Sequence, residues 1–212
     1  MSITALVMAG GRATRMNSAA EKPLLDVGGK PMMQRVVEAL SQSNAIERIA
    51  IAVTENTPQT TRMARELKCD VVRTPAKGYE PDMKHAIKEL HSHDTLVISA
   101  DLPFITTGIV NRAIMAYRAS GKPSLTVMSS TETYRKPGSE PQYIFDIGGK
   151  ALVPIGLNIL DGSRIDEPEL EEEVLVIESE ELILNVNTPQ DLELARKRCK
   201  MESAVSNDGR SR

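Results

Sequence analysis

The 212-residue chain reads as a single α/β domain, a Rossmann-like and mostly parallel sheet flanked by helices on both faces. Apolar runs of strand length alternate with segments whose apolar residues recur at helical spacing. That strand–helix–strand rhythm, repeated along the first 128 residues, demands right-handed crossovers and so covers both faces of a parallel sheet. At 41% apolar residues the chain can fill one substantial core, and no linker or internal repeat divides it.

Taken in order, Ile3–Ala9 is a short buried strand that ends in Gly10-Gly11. Pro31 suits the first turn of a helix, on which Met32, Met33, Val36, Val37 and Leu40 share one face. Ile49–Val53 is the next strand, and Thr57-Pro58 opens a helix to about Lys68. Asp70–Arg73 is a short strand, followed by a helix from Asp82 to Leu90. Thr95–Ala100 is a strand ending at Asp101, and the helix starting near Thr106 buries Val110, Ala113, Ile114 and Tyr117. Leu125–Met128 is the fifth strand.

The rhythm then changes. The stretch 130–141 is polar and contains proline, so it is a loop. Gln142–Ile147 and Val153–Leu160 read as a hairpin through Gly148-Gly149, and Asp161–Glu173 as an acidic, solvated excursion. Val174–Ile177 and Leu182–Val186 read as short strands. Thr188 caps a last helix with Pro189 at its first position. The domain is expected to span residues 1–200, with 201–212 a disordered tail that lacks apolar periodicity.

Composition narrows the function classes. A formal net charge of −3 argues against a surface built for nucleic acid, and the run Arg196-Lys197-Arg198 with Lys200 reads as favourable charge at a helix C-terminus. Only 3% of residues are aromatic and none is tryptophan, which disfavours base stacking on aromatic platforms. No apolar run reaches the length of a membrane span, and Met1-Ser2-Ile3 opens directly into a strand without a signal peptide. Cys69 and Cys199 lack metal or redox spacing and read as free thiols in a reducing cytoplasm. His85, His91 and His93 have no ligand pattern around them and are expected to be solvated. Oligomeric state is not legible from the sequence, and a second copy is compatible with it.

The chemistry concentrates after the first strand, in Ala9-Gly10-Gly11-Arg12-Ala13-Thr14-Arg15-Met16 and the nearby Glu21-Lys22-Pro23-Leu24. A strand that stops in two glycines can turn sharply and present several backbone N–H groups to one small object. Arg12, Arg15 and Lys22 make that object anionic, which points to a polyphosphate. The spacing is neither that of a P-loop nor that of a dinucleotide fingerprint. An ordinary turn with solvated charges is the competing reading, but the number of matched positions disfavours it.

Open α/β sheets bind ligands at the carboxyl ends of their strands. Asp101 leaves a strand at that end in Ser99-Ala100-Asp101-Leu102-Pro103 and can ligate a Mg²⁺ ion that bridges nucleotide phosphates. Thr106 and Thr107 lie nearer the following helix and are better candidates for its cap. Asn187, in Asn185-Val186-Asn187-Thr188-Pro189, can give the same ion a neutral oxygen, or hold its own loop through a local bond. In Lys77-Gly78-Tyr79-Glu80-Pro81-Asp82, Gly78 permits close approach of a ligand. Asp82 there can accept from a guanine edge or a ribose hydroxyl, or simply favour the helix dipole.

Together these motifs resemble the nucleotidyltransferases that include molybdenum-cofactor guanylyltransferase and the sugar-phosphate nucleotidylyltransferases. Thr54-Glu55-Asn56-Thr57-Pro58, Lys77-Gly78-Tyr79, Val153-Pro154-Ile155-Gly156-Leu157-Asn158 and Asn185-Val186-Asn187-Thr188 narrow the resemblance to archaeal GTP:adenosylcobinamide-phosphate guanylyltransferases. The resemblance runs from Ile3 to about Lys197 and implies the nucleotide-diphospho-sugar transferase-like fold. It implies GTP and adenosylcobinamide phosphate as substrates, with Mg²⁺ as cofactor and adenosylcobinamide-GDP and pyrophosphate as products. Ala9, Gly10, Gly11, Arg12, Thr14, Arg15 and Lys22 would bind the triphosphate, and Gly78 and Asp82 the guanosine. Arg15, Lys22 and Asp101 would be catalytic, Asp101 and Asn187 would hold the metal, and Val153–Asn158 would shape the acceptor site. Transfer to molybdopterin or to a sugar phosphate, or GTP binding without chemistry, are the alternatives.

Overall fold

A computed structural model describes residues 2–11, 16, 20–134, 141 and 143–208 of the chain. In chain order the elements are β1 (Ile3–Met8), β2 (Asp26–Val27), β3 (Lys30–Pro31), α1 (Met32–Ser41), β4 (Ile46–Val53) and α2 (Pro58–Glu66). Then come β5 (Asp70–Arg73), α3 (Tyr79–Leu90), β6 (Asp94–Ser99), α4 (Thr107–Ser120) and β7 (Ser124–Ser130). The last are β8 (Phe145–Ile147), β9 (Lys150–Asp161), β10 (Glu172–Val176), α5 (Glu180–Ile183) and α6 (Pro189–Asp208).

Ile3, Ala5, Leu6 and Val7 are fully buried because β1 is central, parallel to β4 on one side and to β6 on the other. The sheet order is β10-β7-β9-β6-β1-β4-β5, with β8 paired to β9. The sheet is therefore mixed: β9 runs antiparallel to both β6 and β7 while the other neighbours on that path are parallel. Between the pairs Thr126–Asn158 and Met128–Pro154, one residue of β7 faces three of β9, a bulge that contains Gly156 at φ +82°.

One layer packs α1, α2 and α4 on the sheet, and the predicted face of α1 (Met32, Met33, Val36, Val37, Leu40) is buried. The other face carries α3, whose Ala86, Ile87 and Leu90 meet Leu6, Ala50, Val72 and Val97. A third cluster seats α6 on the β2–β3 hairpin through Val27, Met32, Phe104, Val186, Leu192 and Cys199. Among the described residues no helix is long and apolar enough to cross a membrane. Cys69 and Cys199 are not joined in a disulfide, and of the histidines His91 and His93 are exposed while His85 is half-buried.

Four expectations need correction. Leu182–Val186 is not a strand: Ser179 accepts a hydrogen bond from the Glu181 N–H, and Glu180–Ile183 forms a helical turn. A cap followed by two acidic residues outweighs a short apolar run whose length suits either conformation. The helix after Gly78 begins at Tyr79, three residues before Asp82, since Pro81 is compatible with a first helical turn. The β2–β3 hairpin was not foreseen; Gly28 and Gly29, both at positive φ, make its turn. The last helix continues to Asp208, into the stretch expected to be a disordered tail. The basic run is thus inside a helix instead of at its end, and Arg196 and Arg198 donate to the backbone oxygens of Asp26 and Glu180.

The start of α6 follows the sequence closely. Thr188 Oγ1 accepts from the Asp191 N–H at 3.1 Å, and Asp191 Oδ2 accepts from the N–H groups of Asn187 and Thr188 at 2.9 Å each. Thr188→Ala is expected to lower unfolding free energy by about 1 kcal/mol in urea titrations. An unchanged midpoint would show that the cap contributes nothing.

Candidate nucleotide site

The carboxyl ends of β1, β4, β5 and β6 open on one cleft of about 280 Å³. Its lining includes Ala9, Gly10 and Gly11 after β1, Asn56 after β4, Thr74 and Ala76 after β5, and Ala100 and Asp101 after β6. Lys22, Gly78, Tyr79 and Asp82 complete the walls.

The two glycines have different surroundings. The Gly10 carbonyl accepts from Thr54 Oγ1 at 2.9 Å, and a Cβ on Gly10 would lie 2.6 Å from Thr54 Cγ2. Gly10 is therefore a packing glycine. Among the described residues a Cβ on Gly11 would meet nothing within 4 Å, and Gly11 lines the cleft.

Lys22 lies in a short 3₁₀ turn, Lys22–Leu24, held by the buried Pro23. Its Nζ donates to Asp101 Oδ2 at 2.6 Å and to Asn187 Oδ1 at 2.7 Å. Two residues 79 and 165 positions away thus converge on one ammonium, with the Lys22 and Asp101 side chains 18% and 15% exposed. Such partial burial lowers the local dielectric and strengthens this pair relative to a surface salt bridge. The convergence has a backbone cause. The Val186 N–H donates to the Asp101 carbonyl at 2.9 Å, and the Asn187 N–H is held by Asp191.

A carboxylate and a carboxamide that meet around a positive centre are the oxygen donors a hard divalent cation takes. Among the described residues no group of three or more His, Cys, Asp or Glu side chains could hold a metal. An ion held here would therefore complete its shell with phosphate oxygens and water, which suits the residues present.

Gly78 caps α3 at φ +120°, a conformation that β-carbon residues rarely adopt. Asp82 is 7% exposed and its Oδ1 accepts from the Lys77 N–H at 3.1 Å. One carboxylate oxygen thus braces the Lys77-Gly78 loop, and Asp82 also lines the cleft. Arg12, Thr14 and Arg15 lie outside the described residues.

Sequence reasoning missed Tyr79 and Ala76 in the wall and Glu21 behind it. Tyr79 is 48% exposed, yet desolvation of its phenol and then the Asp101 charge push its pKa up to about 12. It is a neutral hydrogen-bond donor at any physiological pH. Ala76 adopts φ +58°, a left-handed conformation uncommon for alanine that no local signal announces. Glu21 reaches the N-terminus of α2, where its carboxylate accepts from the N–H groups of Gln59 and Thr60 at 2.8 and 2.7 Å. The Val153–Asn158 segment lies within the sheet between β6 and β7, with Ile155 and Leu157 buried, and a Cβ on Gly156 would lie 3.4 Å from Ser99 Cβ.

A mostly parallel α/β sheet whose strand ends present a glycine turn, a lysine and an oxygen pair defines a nucleotide-binding protein of the Rossmann-like class. The profile of the MobA-like NTP transferase domain matches residues 5–153, and the chain belongs to that family, a family of nucleotidyltransferases. It is 34% identical over 201 residues to an adenosylcobinamide-phosphate guanylyltransferase of Methanocaldococcus jannaschii, covering 90% of this chain and 94% of that one. A 3-deoxy-manno-octulosonate cytidylyltransferase of Synechococcus elongatus is 29% identical over 137 residues, 62% of this chain and 55% of the relative.

Solved structures share the fold. A CMP:2-keto-3-deoxy-manno-octonic acid synthetase complexed with CTP superposes with a TM-score of 0.69 at 16% identity, covering 95% of this chain and 98% of the other. The molybdopterin-guanine dinucleotide biosynthesis protein A of Archaeoglobus fulgidus gives 0.67 at 18% identity, covering 93% and 99%.

Gly10→Ala is expected to cost about 1–3 kcal/mol of stability, because the new methyl must displace Thr54. Gly11→Ala should leave the urea midpoint unchanged and weaken triphosphate binding at least tenfold by calorimetric titration. Equal destabilisation by both changes would contradict the division of roles.

Proposed function

We propose that the protein transfers GMP from GTP to the phosphate of adenosylcobinamide phosphate, giving adenosylcobinamide-GDP and pyrophosphate. The observation that carries this reading is the meeting of Asp101, Asn187 and Lys22 beside the Gly10-Gly11 turn. The acceptor is supported by the similarity to the Methanocaldococcus jannaschii enzyme, which extends over nearly the whole of both chains. This reading places the reaction in the cytoplasm, where thiols such as those of Cys69 and Cys199 stay reduced.

An oxygen of the acceptor phosphate attacks the α-phosphorus of GTP. The new P–O bond forms as the α–β bridging bond breaks in line, and the bridging oxygen leaves with pyrophosphate. The acceptor phosphate is an anion at neutral pH, so no protein base is needed and the site is asked mainly for positioning and charge neutralisation. N–H groups around Gly10 and Gly11 hold the triphosphate, with Arg15 and, more weakly, Arg12 offsetting its charge and Thr14 bonding it. Asp101 and Asn187 are the residues that would hold Mg²⁺. When bound, that ion neutralises charge on the phosphates. The Lys22 ammonium, which meets these two oxygens in the structure, would yield them to the ion and offset charge near the α-phosphate. Gly78 admits the nucleoside against the start of α3, and Asp82 accepts from guanine or ribose while bracing the loop.

Incubating the protein with α-labelled GTP, Mg²⁺ and adenosylcobinamide phosphate should yield a labelled corrinoid adduct and pyrophosphate. Molybdopterin and a sugar phosphate serve as competing acceptors. Asp101→Ala and Lys22→Ala should each lower kcat by about 10²–10³ without unfolding, as expected for loss of a preorganised charge partner. Turnover near the wild-type rate in either variant would remove its assigned role. Absence of the adduct in the wild type would remove the acceptor.

A further inference from the structure

The helix that follows Thr57-Pro58 has an unusual cap. A threonine before a proline-initiated helix normally turns its hydroxyl to the free N–H groups of the first turn. Thr57 makes no such bond to α2. Its Oγ1 instead accepts from the Thr54 N–H at 3.0 Å and donates to the Thr54 carbonyl at 3.2 Å, closing the turn that ends β4. The N–H groups of Gln59 and Thr60 go to the Glu21 carboxylate, which also accepts from Thr60 Oγ1 at 2.6 Å.

We infer that Glu21 is a positioning residue for Lys22, and that the junction of β4 and α2 sets the lysine and the glycine turn against each other. The inference rests on the role proposed above for Lys22. The residue next to Glu21 is the lysine whose Nζ meets Asp101 and Asn187 in the cleft. Three charge-assisted bonds, from a side chain 38 and 39 positions away, fasten the base of the Lys22–Leu24 turn to a helix end. The same junction fastens the other half of the site, through Thr54 Oγ1 to the Gly10 carbonyl. Gly10 and Lys22 are thus referred to one rigid piece of backbone, and Thr57 and Glu21 share its capping between them. A carboxylate at this helix end is also favoured by the helix dipole, which adds to the bond without altering its direction.

Glu21 does not line the cleft, so it acts through its neighbour. Its effect should vanish when Lys22 is already gone, which a merely structural residue would not show. The experiment is a double-mutant cycle on the full chain with Glu21→Ala, Lys22→Ala and the combination. It measures kcat and KM for GTP by pyrophosphate release, with urea midpoints alongside. Glu21→Ala is expected to lower kcat about 10–100-fold, the scale of a reacting group displaced by about 1 Å. In the Lys22→Ala background the same change should alter kcat less than about threefold, and Glu21→Gln, which keeps an acceptor oxygen, should recover part of the loss.

Equal losses in both backgrounds, or no loss in either, would overturn the inference. Should Glu21→Ala fail to fold, the cycle is run with Glu21→Gln under the same criteria. A wild type without turnover on adenosylcobinamide phosphate would count against the proposed acceptor alone. The cycle is then read on the dissociation constant of the GTP–Mg²⁺ complex, with the same pattern expected.

Discussion

One ammonium shared by a carboxylate and a carboxamide organises this molecule. Lys22, Asp101 and Asn187 come from a 3₁₀ turn, a strand end and the residue before a helix cap. None can reach the others until the sheet is complete, because β1, β6 and the approach to α6 must first lie side by side. The bond from Val186 to the Asp101 carbonyl then ties the last of these to the strand it serves. The oxygen pair is held by backbone geometry at both ends. A preorganised arrangement of this kind is what the proposed reaction asks of the site.

The rest of the cleft follows the same economy. Groups around the cleft are braced by neighbouring side chains: the Gly10 carbonyl by Thr54, the start of the Lys22 turn by Glu21 on α2, the Lys77-Gly78 loop by Asp82, and Asn187 by Asp191. Asp82 both braces its loop and lines the cleft. The braces use helix ends and strand ends, where backbone donors are otherwise unsatisfied. Stability and site geometry therefore draw on the same bonds.

Much of this was legible. Central parallel strands are buried on both faces and leave continuous apolar runs, which is why β1 and β6 stand out in the sequence. The cap at Thr188 and the cap at Thr106, which accepts from the Ile109 N–H, depend on residues three apart and can be read locally. Gly10-Gly11 and Asp101 were visible because each follows a buried strand, and the structure brings them to one cleft at the strand ends. The last strands were less legible. Leu182-Ile183-Leu184 is too short to choose a conformation by composition, and the hydroxyl of Ser179 decided it.

The sequence by itself determined the class of fold, the glycine turn, the acid at the end of β6 and the asparagine before α6, because each is a local pattern of backbone conformation and burial. Tertiary structure alone decided that β9 would enter antiparallel between β6 and β7, since pairing partners depend on contacts distant in the chain. It also decided that Thr57 would hold its own turn while Glu21 capped the helix. A local motif specifies which groups need partners. Which partner arrives is settled by the chain that folding brings within 3 Å.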